Sequence, residues 1–325
     1  MKTSILKKIA QSKLLAITIV TILVIAFFGV TTSGFLSASN LRSIMISMCL
    51  AGMIGVGMSM LLISGEIDLS AGYEACMGGI VCALLIQAGL PWYVALILAV
   101  VAGGIMGGIL ALLVNKVGLM GFISSMAMIS VYNGLSYILT NAQDVTIDTS
   151  NAGFFTLGAG AVWFIPIPFL IMLALMVIYG LILYKTEFGR TIYMTGGNRA
   201  AARLCGVNRK KITTILYINN AAISAFAGSL VAARMHNANA SACTSGSIDA
   251  ITAAVLGGVA FRGGDGNMGC LFIGLTLVTF FNSGLTASGL QAYWQVVIQG
   301  LLLVVALCLD FVNEKSRQKA LSHIA

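Results

Sequence analysis

The chain has 325 residues, of which 59% are hydrophobic and 9% charged, and its mean hydropathy is +1.00. Soluble domains carry about 25% charged residues, so this composition excludes an ordinary soluble enzyme, a disordered protein and a secreted disulfide scaffold. The net charge of +8 resembles that of a nucleic-acid binder until the charges are placed along the chain. The apolar runs instead favour the bilayer as solvent, and they predict a single membrane domain over residues 1–325.

Apolar runs of about 20 residues predict an all-α polytopic membrane protein with about ten spanning helices. In chain order the predicted spans are 14–35, 43–63, 72–90, 92–114, 118–140, 161–184, 213–233, 250–261, 268–288 and 292–311. The first run is longer than the apolar stretch of a signal peptide, which favours an uncleaved helix. The eighth run is short, so it is a full span, half a span or a re-entrant segment.

The basic residues sort to one side of these spans. With the N-terminus in the cytoplasm, every Lys and Arg except Arg42 and Arg234 falls in a cytoplasmic segment. This asymmetry follows the positive-inside rule and predicts that both termini lie in the cytoplasm, with an even number of spans. It also accounts for the basic net charge without a nucleic-acid partner.

Two short strings suggest an internal repeat. Residues 64–68 read SGEID and residues 245–249 read SGSID, and each string is followed about ten residues later by a glycine pair. The predicted topology places the two strings on opposite membrane faces, as expected for an inverted repeat of five plus five helices. Chance similarity is the alternative. Asp68 and Asp249 each precede a predicted helix, where a carboxylate can cap free backbone N–H groups. The alternative is a role in contacting a soluble partner or in gating.

The fourth span carries closely spaced glycines. Gly103, Gly104, Gly107 and Gly108 form two overlapping GxxxG pairs. Small residues four apart let helix backbones approach closely in lipid. The pattern therefore predicts a tight helix crossing.

The longest polar stretch is the segment 185–211, which has seven basic residues and one acid, Glu187. Asn198 is a good N-cap and Gly206 suits the position after a helix, so 199–205 are predicted to form a short helix. Its alanines would give a smooth surface for docking in a groove of another protein. The alternative is a solvated loop that only follows the positive-inside rule.

Three motifs occur in chain order. They are GEIDLSAG at 65–72; TEFGR at 186–190 with GGN at 196–198, AAR at 201–203 and Gly206; and 249–261 followed by GGDG at 263–266. Together they resemble the ribose-type sugar permeases of bacterial ABC importers over nearly the whole chain. Glu66 departs from the family pattern, which more often has Gly there. Tyr73, Glu74 and Cys205 also depart from it.

The resemblance implies a multi-pass permease of the bacterial inner membrane that moves a small sugar into the cytoplasm. Its expected partners are ATPase subunits, a periplasmic or lipid-anchored sugar-binding protein, and a second permease chain, identical or paralogous. Gating candidates are the motif residues Asp68, Ser70 and Asp249. The expected ATPase-coupling residues are Glu187, Gly189, Arg190, Gly197, Asn198, Ala201, Ala202, Arg203 and Gly206. The chain has no GxxxxGK[ST] phosphate loop, so ATP and magnesium would belong to the partner and no cofactor to this chain.

Amides within the predicted spans are candidates for the substrate path, because an amide both donates and accepts hydrogen bonds and suits sugar hydroxyls. The candidates are Asn219, Asn220, Asn282, Gln295 and Gln299. For each residue the alternative is an interhelical hydrogen bond. The residues leave open whether the sugar is a pentose, a hexose or a related furanose.

Two other functions compete with the importer. An ion-coupled secondary transporter would use Glu74, since a carboxylate near a span is costly unless it is paired, protonated or wetted. Glu74 is expected near the membrane interface, and no second deep carboxylate is predicted. An intramembrane enzyme is disfavoured, because the sequence has no HExxH or GxSxG motif.

Overall fold

The computed structural model describes residues 13–148, 151–291, 293–298, 300, 301 and 304. Twelve helices are bounded within this part of the chain: α1 Lys13–Thr31, α2 Ala38–Ile63, α3 Ala71–Gln87, α4 Trp92–Leu112, α5 Gly121–Thr140, α6 Ala152–Ala159, α7 Ile167–Lys185, α8 Glu187–Gly197, α9 Arg199–Leu204, α10 Arg209–Met235, α11 Gly246–Leu256 and α12 Met268–Ala287. The described strands are two residues each: β1 Val145–Thr146, β2 Ala161–Val162, β3 Ile165–Pro166 and β4 Asn237–Ala238. The protein is thus all-α, as the composition predicts.

Seven of the predicted spans correspond to helices that are long and apolar enough to cross a membrane. These are α1, α2, α4, α5, α7, α10 and α12, and α4 continues through a π-helical turn, Leu113–Val117. The predicted tenth span, 292–311, lies largely outside the described residues. The number of spans that this last segment adds and the cytoplasmic placement of both termini stay predictions.

The two remaining predicted spans are short helices. Helix α3 has 17 residues and α11 has 11 residues, whereas a span needs about 20. At 1.5 Å per residue α11 is about 16 Å long, roughly half of the hydrocarbon core. Of the alternatives for the eighth segment, the full span is therefore wrong.

The two similar strings approach from opposite ends of the long helix α10: Glu66 pairs with Arg209 at its start, whereas Ser245 lines a cavity with Arg234 near its end. Their placement on opposite membrane faces stays a prediction.

The helices that follow the strings meet inside the bundle. The backbone N–H of Gly72, at the start of α3, donates to Ser247 Oγ, in the first turn of α11, over 2.6 Å. A Cβ at Gly72 would lie 2.6 Å from the carbonyl oxygen of Cys243, so only glycine permits this approach. From this contact the two short helices run to opposite ends of the bundle.

Helix α10 is the central element of the bundle and packs against α2, α3 and α4. The predicted tight crossing is the contact of α4 with α10. A Cβ at Gly103 would lie 2.6 Å from the carbonyl oxygen of Ala221, and one at Gly107 would lie 2.3 Å from that of Tyr217. A Cβ at Gly104 or Gly108 would lie 3.6 Å or more from the nearest atom of a neighbouring element. One glycine row therefore makes the crossing, and the other does not.

The bundle has two chemically distinct ends. The end formed by Gly65, α8, α9 and the start of α10 is held together by contacts such as Gly264 N–H to Ile63 O at 2.8 Å. We call it the basic end, and its basic residues are Lys116, Lys185, Arg190, Arg199, Arg203, Arg209, Lys210, Lys211 and Arg262. At the other end β1 pairs antiparallel with β4, and Gln87, the last residue of α3, donates to Thr146 O.

Candidate functional site

A polar cavity of about 420 Å³ lies between the start of α2, α11 and the end of α12. We call it the polar cavity. Its lining includes two of the predicted path residues, Asn282 and Gln295, and the predicted gating residue Asp249. Hydroxyl and amide groups make up the rest of its polar lining: Asn40, Ser43, Ser47, Thr279, Ser283 and Thr286. Three of the residues singled out from the sequence therefore line this cavity.

Hydrogen bonds fix most amides of this cavity. Asn40 donates to Phe35 O over 2.7 Å and accepts from Ser283 Oγ over 3.2 Å. Gln295 donates to Thr286 Oγ1 over 3.0 Å. Asn282 Oδ1 is buried without a partner among the described residues. A buried acceptor of this kind gains free energy from a donor, such as a solute hydroxyl.

The α2 residues in this lining are not among the predicted path residues, although their spacing in the sequence indicates a shared polar face. Asn40, Ser43 and Ser47 follow a spacing of three and four residues, which places polar groups on one face of an apolar helix. Ser43 and Ser47 carry no charge and small side chains, so they do not interrupt the apolar run. A helical-period search for small hydroxyl residues would have found them.

Asp249 lies between two cavities. It lines the polar cavity and a smaller one of about 260 Å³, which also contacts Arg234 and Leu230. The residue does not precede α11 as predicted but lies in its first turn, because the helix begins three residues earlier at Gly246. Ser245 Oγ donates to its carboxylate over 3.0 Å.

Two other path candidates, Asn219 and Asn220, do not line the polar cavity. Asn220 Nδ2 donates to Asp68 Oδ2 over 2.9 Å, and Asn219 Oδ1 accepts from the hydroxyl of Tyr179. The bond between Asn219 and Tyr179 joins α10 to α7 and is the interhelical hydrogen bond expected as the alternative, whereas Asn220 bonds to the loop between α2 and α3. Gln299 lies outside the described residues.

Two carboxyl groups are completely buried near the start of α3. Asp68 and Glu74 both have a relative exposure of 0%, so the protein interior holds a second buried carboxyl group beside Glu74 that the sequence did not indicate. The depth of Glu74 in the membrane stays a prediction. Asp68 does not cap α3 directly. Its Oδ1 accepts from Ser70 N–H over 2.9 Å and from Ser70 Oγ–H over 2.6 Å. Burial raises the pKa of Asp68, and the hydrogen bonds from Ser70 and Asn220 oppose this rise.

Ser70 joins the two carboxyl groups. Its Oγ lies 3.3 Å from Glu74 Oε1, and Glu74 Oε2 has no partner among the described residues. A serine hydroxyl has one proton, and the shorter contact assigns that proton to Asp68. The contact with Glu74 is then best satisfied by a protonated Glu74 that donates to Ser70 Oγ. A neutral carboxyl group also avoids the cost of a buried, unpaired charge.

Glu66 anchors the loop between α2 and α3 to α10. Its carboxylate forms an ion pair with Arg209 and accepts a hydrogen bond from the hydroxyl of Tyr217 over 3.1 Å. Its side chain is 7% exposed. Glu66 therefore forms a buried ionic link between this loop and α10.

The predicted coupling segment forms two short helices at the basic end. The predicted caps of α9 are confirmed: Asn198 Oδ1 accepts from Ala201 N–H over 3.0 Å, and Gly206 has φ +77°. Thr186 caps α8 by accepting from Gly189 N–H over 3.1 Å. Glu187 and Arg190 form an exposed pair on the first turn of α8.

Helix α8 is fixed against the end of α2. A Cβ at Gly196 would lie 1.9 Å from the carbonyl oxygen of Ile63, and the hydroxyl of Tyr193 donates to Gly266 O over 2.6 Å. Helix α9 projects from this base. Leu204 is 90% exposed and Ala202 3% exposed, so α9 has one face on the protein and an apolar side chain on the other. Arg203 and Leu204 line an open groove of about 970 Å³.

These features are those of a multi-pass membrane permease subunit: apolar helices, a polar cavity lined mainly by hydroxyl and amide groups, and a projecting basic helix. Residues 40–307 match the family described as branched-chain amino acid transport system, permease component. The ribose import permease RbsC of Bacillus subtilis is 32% identical over 89% of each chain. RbsC of Haemophilus influenzae is 31% identical over 89% of this chain and 90% of that protein. AraH of Azospirillum brasilense, an L-arabinose permease, is 28% identical over 93% of this chain and 88% of that protein.

The chain therefore belongs to the ribose-type permease family of ABC sugar importers and is a multi-pass protein of the bacterial cell membrane. No solved structure matches it.

Proposed function

We propose that this chain is the membrane subunit of an ATP-driven importer that carries a small sugar (a pentose, a hexose or a related furanose) into the cytoplasm. The observation that carries the proposal is the polar cavity. Its polar lining is hydroxyl and amide groups with Asp249 as the single carboxylate. Such a wall exchanges hydrogen bonds with a neutral polyhydroxyl solute and holds no strong site for an ion.

Asn282 is the central solute contact in this proposal. Its side-chain oxygen has no protein partner among the described residues, so a passing hydroxyl restores a hydrogen bond that the protein leaves unmade. Gln295 lines the cavity from the segment after α12. Asp249 stands between the two cavities and gates movement from one to the other.

The conformational change that ATP hydrolysis drives in the partner subunit is transmitted to this chain through α8 and α9. The exposed Arg203 and Leu204 contact the ATPase subunit, and the smooth alanine face of α9 fits its groove. The next helix, α10, begins five residues after α9 ends, so a displacement of α9 acts directly on α10. From α10 it reaches the loop 64–70 through Glu66 and Asp68.

The remaining partners follow from the family. ATP and magnesium are bound by the ATPase subunits. A binding protein delivers the sugar at the end opposite the basic end, and a second permease chain completes the path. The basic end faces the cytoplasm, in accord with the positive-inside rule.

A charge reversal on α9 tests the coupling contact. The chain is expressed with its native ATPase and binding protein, and ATPase recovery on the tagged chain is measured together with uptake of radiolabelled ribose. Arg203→Glu is expected to reduce both. The matched control is Lys211→Glu, because Lys211 is an exposed basic residue of the same end that does not line the groove. Equal effects of the two variants would contradict the contact at α9.

The solute contact is tested separately. Asn282→Ala and Asn219→Ala both remove an amide from a long helix, but only the first lines the polar cavity. Asn282→Ala is expected to raise the apparent Km for the transported sugar with ATPase recovery unchanged. Ribose, arabinose, glucose and a branched-chain amino acid are compared as substrates. Uptake of the amino acid alone would refute the sugar assignment.

The buried Glu74 is the one observation that favours an ion-coupled secondary transporter. Glu74→Gln preserves the shape of the side chain and can still donate to Ser70 Oγ, so the importer is expected to keep most of its uptake. A proton-coupled transporter would lose it. Uptake that stops with an uncoupler at constant ATP, and that Glu74→Gln abolishes, would replace the importer proposal.

A further inference from the structure

A second cavity at the basic end is unrelated to the polar cavity. It has a volume of about 650 Å³ and lies between the turn after α4, the start of α5, the loop 65–67 and the start of α10. We call it the basic cavity. It opens beside the turn between two long apolar helices, α4 and α5. In a membrane, such a turn lies at the level of the lipid headgroups.

The charge in the basic cavity is strongly unbalanced. Four cationic side chains line it, Lys116, Arg199, Arg209 and Lys210, against one carboxylate, Glu66. That carboxylate already binds Arg209 and Tyr217. No carboxylate among the described residues pairs with Lys116 or Lys210, and Nε of Arg209 is buried without a partner there.

The local backbone holds the two lysines at the same cavity. Helix α4 ends in the π-helical turn Leu113–Val117, a rare conformation that is frequent at functional sites. Within it, Asn115 Nδ2 donates to Thr214 Oγ1 over 2.8 Å, and Asn115 Oδ1 accepts from Thr213 Oγ1 over 2.9 Å. Asn115 Nδ2 also lies 3.2 Å from Lys210 O. These bonds tie the turn that carries Lys116 to the helix that carries Lys210.

The rim of the cavity is apolar. Leu119 is 44% exposed, Met120 73% and Phe122 49%. These side chains continue the apolar surfaces of α4 and α5, which include Ile109 and Leu112. A ligand that fills the cavity would therefore meet cations at one end and hydrocarbon at the other.

We propose that the basic cavity binds an anionic phospholipid, with the headgroup phosphate between Lys116, Lys210 and Arg199 and the acyl chains along Met120 and Phe122. Phosphate accepts charge-assisted hydrogen bonds from Lys and Arg, and basic pockets between helices on the cytoplasmic side suit anionic headgroups. A free phosphate would bind the cationic side chains but would leave the apolar rim uncovered, so the rim favours a phospholipid over a free phosphate.

The test compares lipids on the purified full-length chain in a neutral detergent. Native mass spectrometry counts bound phosphatidylglycerol and phosphatidylcholine, and a titration gives the apparent dissociation constant of each. Inorganic phosphate is added as a competitor. The wild-type chain is expected to bind phosphatidylglycerol about tenfold or more tightly than phosphatidylcholine, and equimolar phosphate is expected not to displace it.

A pair of double variants assigns the site. Lys116→Gln with Lys210→Gln is expected to weaken phosphatidylglycerol binding about tenfold. The control, Lys185→Gln with Lys211→Gln, removes the same charge from exposed lysines outside the cavity and is expected to change it little. Arg in place of both cavity lysines keeps the charge and retains binding, which separates a lost site from a misfolded chain.

Three results would overturn the proposal. The first is equal affinity for the two lipids on the wild-type chain. The second is displacement of phosphatidylglycerol by equimolar phosphate, which would indicate a site for free anions. The third is equal weakening in the cavity and control variants. If the glutamine variant does not fold, the lipid comparison and the arginine variant still decide.

Discussion

The contact of α4 with α10 gives a quantitative prediction from two neighbouring glycines. A Cβ at Gly107 would lie 2.3 Å from Tyr217 O and 2.7 Å from Ala221 Cβ. A Cβ at Gly108 would meet only Ile218 Cγ1, at 3.9 Å. Alanine in place of glycine is therefore expected to clash with α10 at position 107 and to fit without a clash at the adjacent position 108.

The two effects can be estimated separately. Alanine in place of glycine stabilises a helix by up to about 1 kcal/mol. At Gly107 the atom in the way is a backbone oxygen, which cannot rotate aside, so the helices must separate. Overpacking of this kind costs about 1–3 kcal/mol. We expect Gly107→Ala to lower the free energy of unfolding by about 2 kcal/mol, and Gly108→Ala to leave it unchanged or slightly higher.

The assay is unfolding of the purified chain in mixed micelles by increasing SDS, followed by tryptophan fluorescence and circular dichroism. Sugar uptake is measured in parallel. Gly107→Ala is expected to reduce uptake as well, because Tyr217 also holds Glu66. Equal stability of the two variants, or a larger loss in Gly108→Ala, would refute the reasoning.

Further outcomes follow from the polar contacts. Asn198→Ala removes the cap of α9 and should cost about 1 kcal/mol of local helix stability, measured as faster amide hydrogen exchange in α9 and lower ATPase recovery. Arg209→Ala leaves Glu66 buried without its cation and should destabilise the chain by about 3 kcal/mol. Replacing Glu66 with alanine as well should restore part of this loss in a double-mutant cycle of SDS unfolding. Asn282→Ala should change uptake without changing the unfolding midpoint, because Asn282 Oδ1 has no described partner.

The short helix of the predicted coupling segment could be predicted from the sequence because its caps depend on local contacts. The N-cap Asn198 and the terminal Gly206 lie within eight residues of each other, so their bonds depend on short-range geometry alone. The long spans were readable for a similar reason, since length and hydropathy decide them.

The features that could not be predicted from the sequence depend on contacts between residues that are far apart in the chain. The depth of α3 and α11 is set by the bond between Gly72 and Ser247, which are 175 positions apart. Asp68 and Asn220 are separated by 152 positions. No periodicity within a single helix reports such pairs, so the sequence indicated neither the contact of α3 with α11 nor the burial of Asp68 beside Glu74.

The meeting of α3 and α11 has an electrostatic consequence. Each helix directs its N-terminus, the positive end of its dipole, toward the contact of Gly72 with Ser247, and each has an acid in its first turn, Glu74 or Asp249. A helix N-terminus carries a partial charge of about +0.5. Two such ends meeting in the protein interior repel each other. A protonated Glu74 has no charge to offset this repulsion, so the compensating groups are Asp249 in the first turn of α11 and Asp68, which accepts from Ser70 N–H and Oγ–H beside the start of α3. Any motion that separates the two helices also changes the distances between these carboxyl groups and the helix ends, so it changes the electrostatic energy of the junction.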